Sequence, residues 1–226
     1  MVIFLHSLVL IFLRCKKIVF QLIAPAFCVH CYTFLSEDLF LCNSCQASII
    51  PIVTRDLFIT DAYQAKVFAI SNYKEPLRSL TLAKQYGNRL ASKQLGQLLW
   101  QKTDLHAVDF DCIVPVPLHW TRYAWRWFNQ ADVIAQELSK ASGKPVIHLL
   151  KRNRNTGYQA GLSREKRLKN LCQAFTLLDQ TKAYKGKKIL LVDDVMTTGT
   201  TLKTCARELI KVAPEKIFIA VACRTF

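Results

Sequence analysis

Residues 189–202 read ILLVDDVMTTGTTL, and this stretch decides the fold. Its first four residues are aliphatic, and two adjacent aspartates, Asp193 and Asp194, follow them directly. A short continuous apolar run is typical of a strand buried on both faces of a parallel sheet. Two neighbouring carboxylates repel each other, and a buried strand end removes their hydration, so their presence indicates a bound ligand rather than a packing role.

The residues after the aspartates are typical of an anion site. A helix is predicted over 200–213, and the loop that leads into it comprises Thr197, Thr198, Gly199, Thr200 and Thr201. N–H groups in the first turn of a helix have no intrahelical acceptors and, together with the helix dipole, attract phosphate. Gly199 lets the backbone turn closely, and the threonine hydroxyls add donors. A ligand that fits carries hydroxyls or Mg²⁺ near the carboxylates and a phosphate nearby, as ribose 5-phosphate does.

Around this motif the chain alternates strands and helices, which predicts an α/β fold with a parallel sheet flanked by helices. The predicted strands are 66–73, 111–118, 145–150, 187–192 and 216–224. The predicted helices are 76–87, 88–102, 129–142 and 200–213. With 226 residues, the chain is long enough for one such domain with a small module attached.

The formal charge of the chain is +15, and it is concentrated in one part of the sequence. Residues 121–188 carry 15 Lys and Arg against 4 Asp and Glu, a net charge of +11. Such a local excess favours a polyanionic partner: a phosphorylated ligand, a nucleic acid or a membrane surface. The alternative is a solvated face that keeps the protein soluble.

Four of the nine cysteines form two CxxC pairs, namely Cys28 with Cys31 and Cys42 with Cys45. Two tight pairs of thiolate ligands are typical of a closed, structural Zn²⁺ site, and a rubredoxin-type iron site is the alternative. A thioredoxin-like redox site is disfavoured because it uses a single CxxC near a βαβ unit. His30 lies inside the first pair and is interpreted as a bystander.

Other cysteines are scattered among apolar residues rather than arranged as a disulfide framework. We interpret Cys112, Cys172, Cys205 and Cys223 as small core residues in a reducing compartment. The sequence therefore predicts a cytoplasmic protein.

The first residues, 1–23, form a hydrophobic segment. Its apolar run, Val2 to Leu13, has 12 residues, fewer than the roughly 20 that a membrane-spanning helix needs. Its basic residues follow the apolar run, whereas a signal peptide carries them before it. We expect a helix that packs on the protein, without firm membrane association. An interfacial anchor and an over-long predicted start are the alternatives.

Residues 189–201 resemble the PRPP-binding motif of type I phosphoribosyltransferases: four hydrophobic residues, two acids and a T-T-G-x-T loop. The resemblance implies that Asp193 and Asp194 hold the ribose hydroxyls and that residues 197–201 bind the 5-phosphate of PRPP. It also implies that Val116 and Pro117 belong to the pyrophosphate loop and that Mg²⁺ accompanies PRPP. A plain strand-turn-helix with capping threonines explains neither the paired acids nor the glycine.

Residues 152–170, RNRNTGYQAGLSREKRLKN, occupy the position of the flexible catalytic loop of that family. A loop that closes over a diphosphate and excludes water is expected to be basic and mobile. The resemblance therefore implies catalytic roles for residues of this loop, alongside the two aspartates. The candidates are Arg152, Arg154, Gln159, Arg164 and Arg167. Taken alone, the stretch reads equally well as a solvated charge run.

The cysteine module ahead of this domain narrows the resemblance to the ComF family, which is associated with natural competence for DNA uptake. The likeness implies a zinc-ribbon module at 24–52 and a phosphoribosyltransferase-like domain at 58–226. Its motifs include NYKEPLRSL, AKQYG, IVPVPL, RWFNQA, NTGYQAGLSREKRLKN and LLVDDVMTTGTT. The family pattern is R-G-[FY]-N-Q, and Trp127 stands where the family has glycine. The shape of that loop, and any ligand approach at Arg126, are therefore expected to differ.

The stretch 119–128, HWTRYAWRWF, interleaves aromatic and basic side chains. Stacking faces combined with cations bind single-stranded nucleic acid, and each stacked base contributes about 1–3 kcal/mol. The candidate nucleic-acid residues are Arg122, Trp125, Arg126, Trp127, Lys151 and Arg154. The alternative is that the rings cover the core, which we favour for Trp120 and Phe128.

Two functions are open from the sequence. The first is a ComF-type protein of DNA uptake that binds PRPP, contacts single-stranded DNA and works with other competence proteins of helicase type. The second is an active Mg²⁺-dependent phosphoribosyltransferase of nucleotide metabolism or salvage. The residues identify no acceptor for such a transfer.

Overall fold

The computed structural model describes residues 26–36, 39–83, 89–118, 128–153, 174–178 and 183–225. Nine strands, five α-helices and a short 3₁₀ helix at Asp104–Ala107 lie within these ranges. In chain order they are β1 (Ala26–Phe27), β2 (Phe34–Leu35), α1 (Asn43–Ala47), β3 (Arg55–Thr60), β4 (Tyr63–Asn72), α2 (Leu77–Ala83), α3 (Arg89–Lys102), β5 (Cys112–Pro115), α4 (Gln130–Ser142), β6 (Leu150–Arg152), β7 (Phe175–Leu177), β8 (Lys188–Met196), α5 (Thr200–Ile210) and β9 (Lys216–Arg224).

A five-stranded sheet with the order β3-β4-β9-β8-β5 forms the centre of the protein. Strands β4, β9, β8 and β5 run parallel, and β3 pairs antiparallel with β4. Helices cover both faces: α3 and α4 share one core with Leu190 and Val192, and α5 shares the other with Ile189 and Leu191. The predicted α/β sheet flanked by helices is confirmed, although it is mixed rather than wholly parallel.

The antiparallel edge strand β3 is absent from the sequence prediction. Ile59 is the one fully buried residue among the six of this strand. An antiparallel edge strand needs no continuous apolar run, because one of its faces is open to solvent. A turn at residues 61 and 62 joins β3 to β4, which begins at Tyr63 rather than at the predicted residue 66.

The predicted strand at 145–150 is wrong. This segment makes one isolated parallel bridge, between Val146 and Ile113. The strand of this region is β6, which begins at Leu150 and pairs antiparallel with β7 in a separate two-stranded sheet. Pro145 has no N–H group to donate, so the hydrogen bonding between this segment and β5 does not extend beyond the single bridge at Val146 in that direction.

Helix boundaries agree with the sequence prediction where a cap residue marks them. Helix α4 begins after Asn129, whose side chain accepts a hydrogen bond from the N–H of Ala131, and ends at Gly143, which has φ 74°. The helix predicted over 200–213 is shorter, Thr200–Ile210. The helix predicted over 76–87 is described only as far as Ala83, because residues 84–88 lie outside the described ranges.

The cysteines predicted to be core residues are buried where the structure describes them. Cys112, Cys205 and Cys223 are at most 1% exposed. Cys172 and the N-terminal segment 1–23 lie outside the described residues. Among the helices that the structure describes, none is long and apolar enough to cross a membrane.

A buried glutamine joins the cysteine module to the α/β domain. Gln94 of α3 is 3% exposed. Its Oε1 accepts hydrogen bonds from the N–H groups of Phe40 and Leu41 at 2.9 and 3.1 Å, and its Nε2 donates to the Leu41 carbonyl at 3.1 Å. Leu41 and Cys45 also pack in the same core as the leucines of α3. Module and domain therefore share one core, and the limits predicted for them stay predictions.

Replacing Gln94 with leucine should lower the free energy of unfolding by about 2–4 kcal/mol, because the N–H groups of Phe40 and Leu41 lose their acceptor. The volume of the side chain is nearly unchanged. Urea unfolding followed by circular dichroism measures this. Gln97→Leu is the matched control, since Gln97 is an exposed glutamine on the same helix. Equal stabilities of the two variants would contradict a joining role for Gln94.

Candidate ligand site at the carboxyl end of the sheet

A cavity of about 160 Å³ lies where the carboxyl ends of β5 and β8 meet the first turns of α4 and α5. Ligands of open α/β sheets bind at this edge, outside the carboxyl ends of the strands. Six site residues predicted from the sequence meet in the lining: Val116, Pro117, Arg152, Asp193, Asp194 and Thr201. The lining also contains Leu118, Asn129, Gln130, Ala131 and Val195.

The two aspartates lie within β8, which continues to Met196 instead of ending before them. Both side chains are half-buried. Asp193 Oδ1 accepts from the N–H of Asp194 at 2.8 Å, and Asp194 Oδ1 accepts from the N–H of Val195 at 2.6 Å. These hydrogen bonds from backbone N–H groups fix the orientation of both carboxylates. Carboxylates held in this way suit sugar hydroxyls or a hard cation such as Mg²⁺.

The loop before α5 is shaped to hold an anion. Gly199 has φ 71° and precedes the first residue of the helix, and the hydroxyl of Thr198 accepts a hydrogen bond from the N–H of Thr200 at 3.4 Å. A Cβ atom at this position would lie 3.2 Å from Leu57 Cδ1, so both the backbone angle and the space require glycine. The hydroxyls of Thr198 and Thr200 lie 2.8 Å apart on the exposed side of the loop. The N–H groups of this first turn, with the helix dipole, suit a phosphate.

Asn129 links the loop after β5 to the start of α4, and both of these segments line the cavity. Its Nδ2 donates to the carbonyl of Val116 at 2.9 Å, and its Oδ1 accepts from the N–H of Ala131 at 3.2 Å. One side chain thus caps α4 and fixes the loop after β5. Asn129 and its neighbour Gln130, which is 2% exposed, were missed as site residues by the sequence analysis. The available signal was an asparagine as the first residue of a predicted helix, because asparagine is a preferred N-cap residue.

Arg152 brings a guanidinium group to the cavity from the end of β6. Its Cζ atom lies 5.2 Å from the centre of the Phe175 ring on β7, and this contact holds the side chain. A cation that lines the same cavity as two carboxylates and the start of α5 suits a ligand with several phosphate oxygens. The adjacent Lys151, a predicted nucleic-acid residue, is exposed and lies outside the cavity lining.

The remaining predicted site residues divide into two groups. Thr197, Thr198, Gly199 and Thr200 form the loop beside the cavity. Gln159, Arg164, Arg167, Arg122, Trp125, Arg126, Trp127 and Arg154 lie outside the described residues, as does Trp120. Phe128 is half-buried just before α4.

The four predicted metal ligands, Cys28, Cys31, Cys42 and Cys45, come together in the N-terminal module. Their Sγ atoms all lie within 4.8 Å of one another, and those of Cys31 and Cys42 are 3.6 Å apart. Tetrahedral Zn–S bonds of about 2.3 Å place sulfur atoms about 3.8 Å apart, so the cluster fits a four-thiolate metal site. The N–H groups of Cys42 and Cys45 point at Cys28 Sγ and Cys42 Sγ at 3.4 Å, which supports thiolate charge.

The thiols of this cluster differ in their ease of ionisation. Hydrogen bonds with Thr33 lower the pKa of Cys31 to about 6, whereas burial and the neighbouring thiols raise the pKa of Cys45. A metal ion must therefore displace the proton of Cys45, while Cys31 is already a thiolate near neutral pH. His30 Nδ1 lies 3.4 Å from Glu75 Oε2 and outside the group of four sulfurs, in agreement with its predicted role as a bystander.

Comparison with known proteins identifies the family. The model of the phosphoribosyl transferase domain matches residues 130–225. Competence protein F of Haemophilus influenzae is 34% identical over 159 residues, which are 67% of this chain and 69% of that protein. This chain belongs to the ComF family. It is a phosphoribosyltransferase-like protein related to competence proteins.

Two other members of the family show similar identity. DNA utilization protein YhgH of Escherichia coli K12 is 32% identical over 169 residues, 71% of this ComF chain and 72% of that protein. Competence protein ComFC of Bacillus subtilis is 35% identical over 99 residues, 44% of this chain and 38% of that one. Among solved structures, a purine phosphoribosyltransferase of Pyrococcus horikoshii matches 58% of this chain and 81% of its own at 19% identity and a TM-score of 0.36. A likeness this distant carries no argument about function.

Proposed function

We propose that this ComF protein binds PRPP together with Mg²⁺ in the cavity at the carboxyl end of the sheet. One observation carries the proposal: the acidic pair, the loop after β5, the start of α5 and Arg152 meet around a single cavity. A sugar with a phosphate at each end needs such a combination, because its hydroxyls favour carboxylates and its phosphates favour N–H groups and cations.

The parts of the ligand can be assigned to parts of the site. Asp193 and Asp194 bind the ribose hydroxyls, and the loop Thr197 to Thr201 binds the 5-phosphate. Val116, Pro117 and Arg152 line the same cavity, and we assign the pyrophosphate group to them. The carboxylates offer the oxygen ligands that Mg²⁺ prefers, and a bound Mg²⁺ neutralises part of the diphosphate charge.

A transferase activity is the second candidate function, and the phosphoribosyl transferase domain model favours it. Two fixed carboxylates beside the sugar stabilise positive charge that develops at C1 as pyrophosphate departs, while Arg152 stabilises the leaving charge. The acceptor is undefined, so the test is a panel of nucleobases incubated with PRPP and Mg²⁺. If no base in the panel raises the rate of pyrophosphate release above the rate with PRPP alone, the protein is not an active transferase for these acceptors.

Contact with single-stranded DNA is a further part of the proposed function. The net charge of +11 over residues 121–188 supports it, and so do the names of the competence and DNA-utilization relatives. We place this protein in the cytoplasm, working with other competence proteins on incoming DNA. The phosphate backbone of DNA supplies most of such binding, which is therefore expected to depend on salt.

We also propose that the four cysteines hold a structural Zn²⁺ ion. The purified protein should contain one zinc per chain, and Cys31→Ser should lower the zinc content well below that value, because a closed site uses all four thiolates. Elemental analysis with a colorimetric zinc assay measures this. Cys112→Ser is the matched control, since Cys112 lies in the distant sheet core. Iron, or no metal, in the wild-type protein would overturn the assignment.

Replacing both aspartates by asparagine (Asp193→Asn/Asp194→Asn) should weaken PRPP binding at least about tenfold, because uncharged amides lose the charge-assisted hydrogen bonds to the ribose and Mg²⁺. Isothermal titration calorimetry of the zinc-loaded protein with PRPP and Mg²⁺ measures the change. The control is Asp56→Asn/Asp61→Asn, which removes the same charge from exposed positions of the β3–β4 hairpin. Absence of saturable binding by the wild-type protein would refute the proposed function.

DNA binding should weaken steeply with salt and should survive the Asp193→Asn/Asp194→Asn change, because the acidic pair does not contact DNA. Lys151→Gln/Arg154→Gln should reduce the slope of log K against log salt by about 0.7 for each lost phosphate contact. Fluorescence anisotropy with a labelled single strand measures both. Lys66→Gln, at an exposed position on β4, is the control. A slope that is unchanged in the double variant would exclude these two residues from the DNA surface.

A further inference from the structure

Arg224 is a buried arginine at the carboxyl end of β9. Its side chain is 5% exposed. Within the described part of the chain, its Nε and Nη1 have no hydrogen-bond partner, and no carboxylate forms an ion pair with it. Because arginine keeps its charge at any physiological pH, this is a buried cation that lacks a counter-charge.

A buried charge without a partner is costly, since desolvation of the ion is not offset. Burial, and then the nearby charge of Arg55, both lower the pKa of Arg224. An anionic ligand would supply the counter-charge that the described protein residues do not provide.

The backbone around Arg224 is fixed on both sides, next to the anion loop. Its register partners are Asn72 on β4 and Met196 on β8. The Arg224 carbonyl accepts from the N–H of Tyr73 at 2.6 Å, and the N–H of Thr225 donates to Met196 at 3.1 Å. Met196 is the last residue of β8 and directly precedes the loop.

The loop also contacts the elements that surround Arg224. A Cβ atom on Gly199 would lie 3.6 Å from Met196 Sδ and 3.2 Å from Leu57, which is two residues from Arg55 on β3. Arg224 pairs with Met196, the residue before the loop, and Arg55 lies two residues from Leu57, so both arginines belong to strands that adjoin the loop at the start of α5. Asp193 and Asp194 line the cavity. The hydroxyl groups of a sugar phosphate would therefore lie near negative charge, and its phosphate would lie near positive charge.

We propose that Arg224 binds a phosphate oxygen of the ligand held by the loop at the start of α5, and so positions the sugar phosphate for the acidic pair. This inference rests on the proposed function, in which that loop holds the 5-phosphate. The competing explanation is structural: Asn72 Oδ1 is also buried without a partner beside Arg224, and a small rotation would pair the two side chains.

Arg224→Met separates these explanations. The substitution removes the guanidinium charge and leaves an unbranched, apolar side chain that fills part of the same space. If Arg224 awaits a phosphate, the ligand-free variant should melt a few degrees higher, since an unpaired buried charge is gone. Its affinity for ribose 5-phosphate and PRPP should fall about 10- to 100-fold. Arg89→Met, at an exposed position on α3, is the control for net charge.

The probes distinguish the phosphate groups and the two proposals. Calorimetry with ribose 5-phosphate, PRPP and pyrophosphate, each with Mg²⁺, should show weaker binding of the first two by Arg224→Met and unchanged binding of pyrophosphate. A loss confined to pyrophosphate, or a lower melting temperature with unchanged affinities, would overturn the inference. If the wild-type protein binds no PRPP, the proposed function fails. The inference is then tested by the melting temperature with added inorganic phosphate. A rise in the wild-type protein that Arg224→Met does not show supports the inference. No rise in the wild-type protein overturns it.

Discussion

Burial of the first half of β8, Ile189 to Val192, is the constraint on which the rest of the structure depends. Ile189 to Val192 are fully buried, and alternate side chains enter different cores. Both faces must therefore carry helices, and both edges must pair with other strands, because an exposed backbone or apolar face would be unstable. The same strand delivers two carboxylates at its carboxyl end. The packing that buries the first half of β8 thus sets the position of the acidic pair relative to the loop before α5.

Features that depend on residues close together in the sequence were predicted, whereas features that depend on distant segments meeting in the fold were not. The strand–turn–helix at 187–213 and the two cysteine pairs are encoded by neighbouring residues, so pattern and chemistry were sufficient. The conformations of β3 and of the segment 145–150 depend on which strand lies beside them. Pairing at the edge of a sheet leaves little hydrophobic periodicity in the sequence. Asn129 and Arg224 gain their significance only when β5, β8 and β9 are assembled. A charged residue at the end of a strand otherwise reads as exposed.

The cysteine module is joined to the domain by polar and apolar contacts together. A module of this size cannot bury enough surface to fold alone without a metal or a partner. Here Leu41, Cys45 and Ile49 extend the core formed by α3, and Gln94 satisfies the backbone between the two cysteine pairs. A metal ion held by the four thiolates would therefore stabilise one wall of the α/β core as well as the module itself.

The position of β9 has a consequence for synthesis of the protein. This strand is the last in chain order among those described, yet it lies in the middle of the sheet between β4 and β8. Until Lys216–Arg224 has left the ribosome, both neighbouring strands have an open, largely apolar edge. Such edges pair with other chains, so a ComF polypeptide that lacks β9 is expected to be prone to aggregation. Pairing of β9 with β8 also completes the surroundings of the loop before α5, so that loop takes its described form only when β9 is in place.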